Sequence, residues 1–359
     1  MGKTKRGGGE RMTDGEIIRE AAGELIAWYR ANRRDLPWRR EPTPYHVWIS
    51  EIMLQQTRIE AVLGYYGRFL AALPDIAALA AVEEDRLLKL WEGLGYYSRA
   101  RNLKKAAAEL MARYGGELPR RAEELKTLPG IGEYTAGAIA SIAYGEPEPA
   151  VDGNVLRVAM RLLDCPDDVL LPATRRRVTE LLRAVYPRGE DAALLTEGIM
   201  ELGETVCIPN AEARCALCPL RGLCRARERG TVRELPFRSP PKERRKETRT
   251  VLLLRCGGLY AIRRRPENGL LAGLWEFPTW EGLLGENELS ARLGVPLRCE
   301  PCGRAKHVFS HVEWQMHGFF ADCETRPEGF AWHTAEEIGA DFSIPTAFRY
   351  FQKKLREAE

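Results

Sequence analysis

The segment Leu128-Pro-Gly-Ile-Gly-Glu-Tyr-Thr-Ala-Gly137 constrains the fold more than any other part of this chain. Residues 122–127 and 134–144 have helical composition, and a proline with two glycines separates them, so the pattern predicts a helical hairpin. Gly130 and Gly132 let main-chain N–H groups approach an anion, and the next helix directs its positive dipole end toward it. The hairpin is therefore a candidate phosphate grip. An ordinary connection between helices is the alternative.

A carboxylate follows the hairpin in the motif Val151-Asp152-Gly-Asn154. Asp152 precedes an apolar-periodic run at 153–162, so it occupies an N-cap position, and capping alone explains such a residue. The helix dipole also keeps a carboxylate ionised at neutral pH, as the stabilisation of a cation requires. The position therefore predicts a lowered pKa for Asp152, and both roles are compatible at one residue.

The motif Trp48-Ile-Ser-Glu51-Ile-Met-Leu-Gln-Gln-Thr57 places one carboxylate among bulky apolar residues of a predicted helix. Burial raises the pKa of a glutamate and makes it a proton donor near neutral pH. The alternative is an exposed Glu51 on the polar face of the helix. A raised pKa at Glu51 and a lowered pKa at Asp152 predict that Glu51 is the acid and that Asp152 is the negative counter-charge.

Four of the nine cysteines cluster between residues 207 and 224 and indicate a metal site. Structural zinc and an iron–sulfur cluster both accept four thiolates. The predicted ligands are Cys207, Cys215, Cys218 and Cys224. A second metal site in the C-terminal part is less favoured than free thiols, and its candidates are Cys256, Cys299, Cys302 and Cys323.

Charge and hydropathy limit the classes of function that the chain can have. The net charge is only +3, so any basic surface for a nucleic acid is local. No apolar run approaches the roughly 20 residues of a membrane span, so no membrane partner is expected. The first residues lack the apolar stretch of a secretory signal, which predicts reduced thiols and a cytoplasmic location.

The patterns along the chain predict two domains. Amphipathic helical runs dominate the first part, at 15–31, 45–73, 98–114 and 173–185. Beyond a Pro-containing, charged stretch the period becomes two, and the runs 250–255 and 259–264 on either side of Cys256-Gly-Gly predict a strand hairpin. We predict a disordered tail at 1–14, an all-α domain at 15–230 that includes the cysteine loop, a linker at 231–248 and an α/β domain at 249–359.

Together these residues resemble the helix-hairpin-helix DNA glycosylases and, within them, the MutY family of adenine glycosylases. The resemblance extends from about Ile17 to the predicted C-terminal helix. It implies an all-α helix-hairpin-helix domain with an iron–sulfur loop, followed by an α/β Nudix-like domain. The implied activity is hydrolysis of the N-glycosidic bond of adenine opposite 8-oxoguanine, or guanine, in duplex DNA during base excision repair. The implied enzyme is a monomer that associates with the nucleoid.

The resemblance assigns catalytic roles. Glu51 protonates the adenine at N7 and later activates water, and Asp152 stabilises the oxocarbenium-like sugar or bonds to it transiently. Tyr134 stands where bifunctional relatives have a lysine that forms a Schiff base, so the resemblance implies a monofunctional enzyme. Tyr134, Asn154 and Glu197 match positions that support the acid, the aspartate and the water.

The resemblance also assigns DNA contacts. Gly93-Leu-Gly-Tyr-Tyr-Ser98 is similar to the intercalating loop of the family, although core packing is the alternative for its two tyrosines. A turn in the second domain matches the family's reader of 8-oxoguanine. The predicted lesion and DNA contacts are Gln56, Thr57, Leu94, Tyr96, Gly130, Gly132, Phe309, Ser310 and His311.

The same family carries a [4Fe–4S] cluster at the position of the cysteine loop, so the resemblance selects that cofactor over zinc. The first two cysteines are separated by seven residues here, where the family has six. The motif Gly269-Leu-Leu-Ala-Gly-Leu-Trp-Glu-Phe-Pro278 resembles the start of a Nudix fold. The clustered magnesium-binding glutamates of a Nudix hydrolase do not follow it, so this domain is expected to bind and not to hydrolyse.

Two other functions are compatible with parts of the sequence. A bifunctional glycosylase and lyase for oxidised pyrimidines is disfavoured by Tyr134 and by the second domain. A catalytically silent lesion-binding protein is disfavoured by the presence of both Glu51 and Asp152.

Overall fold

The computed structural model describes residues 12–209, 212–240 and 243–358. The chain divides into two compact units. The first contains the residues up to Ala80 together with Asn102–Pro240, and the second contains Ala81–Arg101 together with the residues beyond Pro240. Most of the tail predicted at 1–14 lies outside the described residues. Helix α1 begins at Asp14.

Helices dominate the first unit, as the sequence predicts. In chain order the helices of the described residues are α1 (Asp14–Asn32), α2 (Pro37–Arg40), α3 (Pro44–Leu54), α4 (Ile59–Ala72), α5 (Ile76–Ala81), α6 (Glu84–Leu90), α7 (Ser98–Tyr114), α8 (Ala122–Leu125), α9 (Glu133–Ala138), α10 (Gly153–Leu163), α11 (Pro172–Arg183), α12 (Glu190–Thr205), α13 (Arg225–Arg229), α14 (Glu286–Leu293), α15 (Ala335–Asp341) and α16 (Arg349–Glu357). A π-helical turn, Ile139–Ala143, continues α9. Short 3-10 turns lie at Cys215–Leu217, Pro219–Gly222 and Thr346–Phe348.

Local signals explain where key helices begin. Thr13 and Glu16 form a capping box at the start of α1. The apolar-periodic run after Asp152 becomes α10, and its residues pack with α1, α11 and α12 in one core. The apolar side chains of that core include Leu25, Leu156 and Leu195. Burying such side chains supplies the main driving force for folding of this unit.

The long run predicted at 45–73 is two helices, because the chain turns between α3 and α4. Gln56 lies in this turn with a left-handed backbone, φ 56°. Such a conformation is uncommon for a residue with a side chain and costs free energy. The turn ends the helix that carries Glu51.

The predicted hairpin is present between α8 and α9. Gly130 has φ +77°, and a Cβ atom there would lie 2.7 Å from the Asn102 Cβ, so only glycine fits this position. Gly132 is the N-cap of α9, and nothing lies within 4 Å of the place where its Cβ would be. The main chain at the start of α9 is therefore not covered by a side chain of the turn.

The second unit contains a mixed sheet. Its strands are β1 (Arg245–Cys256), β2 (Leu259–Arg264), β3 (Trp275–Glu276), β4 (Thr279–Glu281), β5 (Arg298–Val308), β6 (Val312–Asp322) and β7 (Ala331–His333). The order of the main path is β3-β2-β1-β6-β5, with β4 on β1 and β7 on β2. Strands β1 and β6 are parallel, and the other pairs are antiparallel. The predicted β1–β2 hairpin is confirmed, although β1 begins inside the stretch predicted as a linker.

Alternate residues of β1 face two apolar layers. Val251 and Leu253 pack in a core that includes Phe351 of α16. Leu252 and Leu254 pack in a second core with Leu289 of α14. The sheet is therefore covered on both sides, which explains why the centre of β1 is continuously apolar. None of the helices in the described part of the chain is long and apolar enough to cross a membrane.

Candidate active site

Glu51 lies on α3 and is 6% exposed. Most neighbouring positions on this helix are buried apolar residues, as the sequence predicts. The exposed polar face considered as an alternative for Glu51 is therefore wrong. The carboxylic acid occupies a site from which water is largely excluded.

The hydroxyl of Tyr134, on α9, donates a hydrogen bond of 2.5 Å to Oε2 of Glu51. Burial raises the pKa of Glu51 to about 7, although the bond from Tyr134 opposes this change. The negative charges of Asp152 and Glu197 raise the Glu51 pKa further. Burial also holds the pKa of Tyr134 well above its ordinary value, so its phenol keeps its proton at neutral pH. Glu51 is thus a proton donor near neutral pH.

Asp152 is the N-cap of α10, as predicted. Its carboxylate accepts hydrogen bonds from the Val155 backbone N–H at 2.7 Å and from Nδ2 of Asn154 at 2.9 Å. The predicted lowering of its pKa is wrong, because burial raises the pKa of Asp152 and outweighs the opposing effect of these donors. The hydrogen bonds at the start of α10 make the rise in the pKa of Asp152 smaller, but they do not reverse it. A sequence shows the cap, but it does not show how much water the folded chain removes from the carboxylate.

Asp152 is connected to the cysteine loop through buried polar groups. Nη2 of Arg157 donates to Oδ1 of Asn154 at 2.7 Å and to the Gly203 carbonyl at 2.7 Å. Nε of the same guanidinium donates to the Cys207 carbonyl at 2.8 Å. The orientation of Asn154, and therefore one bond to Asp152, depends on Arg157. The sequence reasoning missed this arginine, although an arginine inside an otherwise apolar helix is a recognisable signal.

Glu197, on α12, is held by two residues that the sequence reasoning also missed. The Tyr29 hydroxyl donates to Oε2 of Glu197 at 3.0 Å. Nε of Arg39 lies 3.6 Å from Oε1, and the Arg39 guanidinium lies 5.3 Å from the centre of the Tyr29 ring. Burial raises the pKa of Glu197, while Arg39 and Tyr29 lower it. Tyr29 and Arg39 lie far from Glu197 in the sequence, so no local motif indicates these contacts.

A fourth acid of this region, Glu201, has a lowered pKa, whereas the pKa values of the other three acids are raised. Arg34 Nε donates to Oε1 of Glu201 at 2.5 Å, and Arg39 Nη2 donates to Oε2 at 2.8 Å. Burial acts to raise the pKa of Glu201, but the bonds and charges of the two arginines outweigh it and lower that pKa. Glu201 is therefore a fixed negative charge that holds Arg39 beside Glu197. Glu51 differs because its hydrogen bond comes from a neutral phenol.

Two of the predicted lesion contacts lie in the turn that follows α3. Gln56 is exposed and Thr57 is half-buried, with its hydroxyl donating to the Gln55 carbonyl at 3.3 Å. Nε2 of Gln55 donates to the Thr135 hydroxyl at 3.2 Å, which connects this turn to α9. The structure brings Glu51, Tyr134 and this turn into one unit.

The loop predicted to intercalate belongs to the second unit. Tyr96 is 50% exposed and has φ 48°, whereas Tyr97 is buried. The alternative of core packing is therefore correct for Tyr97, whereas Tyr96 is not packed in the core. Leu94 is 6% exposed, so it is not presented to solvent in this conformation.

The predicted reader turn joins β5 to β6. Phe309 packs edge-on against Trp314, with ring centres 4.9 Å apart, and its N–H donates to the Val312 carbonyl at 2.8 Å. Ser310 and His311 are exposed at the turn. Phe309 therefore anchors the turn on the domain core and leaves the two polar side chains accessible.

The four cysteines of the loop line one small cavity together with Arg161. Nη1 of Arg161 lies 3.4 Å from the Cys207 sulfur. Burial raises the pKa of Cys218 to about 12 and also raises that of Cys224, so thiolates at neutral pH need a compensating cation here. The donor set fits a sulfur-ligated cofactor. In the described ranges, no group of three or more potential ligands is arranged to hold a single metal ion.

Comparison with known proteins gives the family. Residues 49–187 match the HhH-GPD superfamily of base excision DNA repair proteins, and residues 250–354 match the NUDIX domain. A solved thermostable thymine-DNA glycosylase covers 59% of this chain and 97% of its own, with 26% identity and a TM-score of 0.54. Endonuclease III in a non-covalent DNA complex covers 61% and 99%, with 28% identity and a TM-score of 0.52.

Similarity to whole proteins extends over both units. The human adenine DNA glycosylase is 33% identical over 405 residues, which cover 92% of this chain and 73% of the human protein. The match includes the helical part with Glu51 and Asp152 and continues through most of the strand-containing part. This chain therefore belongs to the adenine DNA glycosylase (MutY) family.

Proposed function

We propose that the protein is a monofunctional adenine DNA glycosylase that hydrolyses the N-glycosidic bond of adenine opposite 8-oxoguanine, or guanine, in duplex DNA. Family membership supports the reaction class, and one observation on the chain supports the mechanism. Glu51 is a buried acid with a raised pKa, and the nearby charge of Asp152 contributes to that rise. A protonated acid beside a second carboxylate is the arrangement that glycosidic cleavage requires.

In the proposed mechanism Glu51 delivers its proton to N7 of the everted adenine. Protonation makes the base a better leaving group, and positive charge develops on the sugar. Asp152, oriented by the Val155 N–H and by Asn154, stabilises that charge in its ionised form. The deprotonated Glu51 then activates water. The Tyr134 phenol keeps the Glu51 carboxyl in one orientation through both steps.

Glu197 and Arg39 are proposed to contact the extruded purine or the attacking water. Both side chains are largely buried, with side-chain exposures of 17% and 11%. Together they offer an acceptor and a donor, which are the groups that read the edge of a base. Tyr29 restricts the position of both.

The same site supports the absence of lyase activity. Tyr134 lies in the first turn of α9, after the hairpin glycines, and donates a hydrogen bond to Glu51. A phenol has no amine with which to form a Schiff base. The product of the proposed reaction is therefore an abasic site in an intact strand.

We expect the rate of base excision to fall above pH 7. The acid form of Glu51 is active, and its pKa is about 7, so the rate falls about tenfold per pH unit above that pH. Because the bond from Tyr134 lowers this pKa, Tyr134→Phe is expected to move the fall to higher pH. Single-turnover rates over a pH series measure both. If the rate falls at the same pH in the wild type and in Tyr134→Phe, the assignment of Glu51 as the titrating acid is contradicted.

The second unit is proposed to read the base opposite the adenine. Ser310 and His311 offer hydrogen-bond donors and acceptors to the oxidised face of 8-oxoguanine, and Phe309 fixes the turn that carries them. Helix α14 contributes Glu286 and Glu288, but not the closely spaced set of acids that binds magnesium in a Nudix hydrolase. The domain is therefore proposed to bind DNA as part of a monomeric enzyme.

The cysteine loop is proposed to hold a [4Fe–4S] cluster through Cys207, Cys215, Cys218 and Cys224. When bound, the cluster supplies four metal–thiolate bonds that hold residues 207–224 in place. We expect the purified protein to be brown, with broad visible absorbance and about four irons per chain. Cys218→Ser is expected to lose most of that absorbance and to lower the melting temperature. A colourless, active protein that contains one zinc ion contradicts the proposal of an iron–sulfur cluster.

One assay tests the proposed function. A duplex with a single adenine opposite 8-oxoguanine is incubated with the protein, and strand breakage is compared with and without hot alkali. Breakage only after alkali is expected. Direct breakage indicates a bifunctional enzyme, and an intact strand after alkali indicates a protein that binds the lesion without excising the base.

A further inference from the structure

We propose that Lys89 and Ser343 are positioning residues that fasten the loop Gly93–Ser98 to the C-terminal α/β fold. The insertion of Tyr96 into DNA then depends on the fold that carries the reader turn. This inference rests on the proposed function and extends it. In sequence, residues 81–101 lie inside the helical half, yet by their contacts they belong to the second unit.

Helix α6 is attached to the C-terminal end of α15. Nζ of Lys89 donates to the Gly339 carbonyl at 2.7 Å and to the Phe342 carbonyl at 3.1 Å. These carbonyls lie at a helix end, where the main chain lacks its own donors and the dipole favours a cation. The lysine therefore donates to carbonyls at a helix end, where intrahelical N–H donors are lacking.

Two further bonds cross the same junction. The Ser343 hydroxyl, which is buried, donates to the Leu88 carbonyl at 3.2 Å. The Ile344 N–H donates to Oε1 of Glu92 at 3.1 Å, and Oε2 of Glu92 lies 2.8 Å from Nζ of Lys89. Side chains and main chain from both elements thus form one connected group. Such a group resists sliding of α6 along α15.

A second attachment lies at the other end of the segment. Nη1 of Arg101 donates to the Ala272 carbonyl at 2.5 Å, and its Nε donates to Oε1 of Glu84 at 2.9 Å. Gly273 has φ +62°, and a Cβ there would lie 2.8 Å from Nη2 of Arg101. The guanidinium therefore fits closely against this glycine. The segment is held to the α/β fold on both sides of the loop.

The loop between these attachments has a fixed shape. Nη2 of Arg99 donates to the Leu94 and Gly95 carbonyls at 3.2 and 3.1 Å, and Nε1 of Trp91 donates to the Gly95 carbonyl at 3.1 Å. The Arg99 guanidinium also lies 5.6 Å from the centre of the Tyr96 ring. Tyr96 keeps a left-handed backbone in this loop. A shift of α6 is therefore transmitted to Tyr96 through Trp91 and the loop carbonyls.

The test uses Lys89→Met, which keeps the aliphatic stem and removes the three donors. Lys354→Met is the matched control, because Lys354 pairs with Glu357 at 2.8 Å across the same i,i+3 spacing on α16. Ser343→Ala breaks the junction independently from the other side. Each change is made in the wild-type full-length protein and in Tyr96→Ala, and melting temperatures are recorded for all variants.

Two readouts are measured on a duplex with adenine opposite 8-oxoguanine. One is the single-turnover rate of adenine release. The other is the fluorescence of 2-aminopurine placed beside the 8-oxoguanine, which increases when an inserted side chain unstacks it. We expect Lys89→Met and Ser343→Ala to reduce the fluorescence change and to lower the rate by about tenfold, while Lys354→Met matches wild type.

The Tyr96→Ala background distinguishes positioning from general destabilisation. If Lys89 acts through Tyr96, Lys89→Met produces no further loss when Tyr96 is already absent. An equal loss in both backgrounds, or a fluorescence change equal to that of wild type in Lys89→Met, overturns the inference. A wild-type protein that releases no adenine contradicts the proposed function instead, and the fluorescence readout still decides whether Lys89 positions the loop.

Discussion

Glu51→Gln is expected to lower the single-turnover rate of adenine release by about 10²–10⁴-fold while leaving the affinity for the duplex close to that of wild type. Glutamine has nearly the same shape, and its amide oxygen still accepts the Tyr134 hydrogen bond. It has no proton to give to the adenine. The loss therefore isolates proton donation from packing.

The affinity is measured by gel shift and the rate by alkali-dependent strand breakage on the same duplex. Glu60→Gln serves as the matched control, because Glu60 lies exposed in the first turn of α4. That variant is expected to retain the wild-type rate. Adenine release by Glu51→Gln within a few-fold of wild type shows that another group is the acid.

Asp152→Asn is expected to have the second largest effect, a loss of about 10²–10³-fold in the rate of excision with little change in stability. Asparagine is as good an N-cap as aspartate, so the amide oxygen can still accept the Val155 N–H and hold the start of α10. The substitution removes the negative charge that faces the developing sugar cation, and it also replaces the oxygen that accepts the Asn154 hydrogen bond with an amide group. This substitution therefore separates the capping role from the catalytic role of one residue.

The control for this substitution is Asp75→Asn. Asp75 accepts the Ala78 N–H at 2.7 Å at the start of α5 and is exposed. We expect wild-type activity from this control and similar melting temperatures for both variants. If Asp152→Asn melts well below wild type and its remaining folded fraction is fully active, Asp152 is a structural cap alone.

The burial of Glu51 could be predicted from sequence because its neighbours along one helix are bulky and apolar. The same local reasoning gave the wrong direction for the pKa of Asp152. Its helix position was correct, but burial by residues distant in the sequence determined the net shift. A pKa responds to all surrounding groups, whereas a motif reports only the nearest ones.

Residues that act through long-range contacts were not predicted either, because a motif reports only near neighbours in the sequence. Tyr29 reaches Glu197 across 168 positions of the chain, and Arg157 reaches the carbonyl of Cys207 across 50. Neither residue stands in a motif with its partner. The sequence of each segment permits the contact, and only the packing of α1 and α10 against α12 produces it.

By itself, the sequence determined the helical first part, the hairpin, the cap at Asp152, the cysteine spacing and the strand-containing second part. These features depend on periodicity, turn chemistry and spacing between near neighbours. The tertiary structure alone decided the direction of the pKa shift of Asp152 and the attachment of residues 81–101 to the C-terminal fold. Desolvation and helix-end contacts depend on which distant segments meet, and no local pattern in the chain records that.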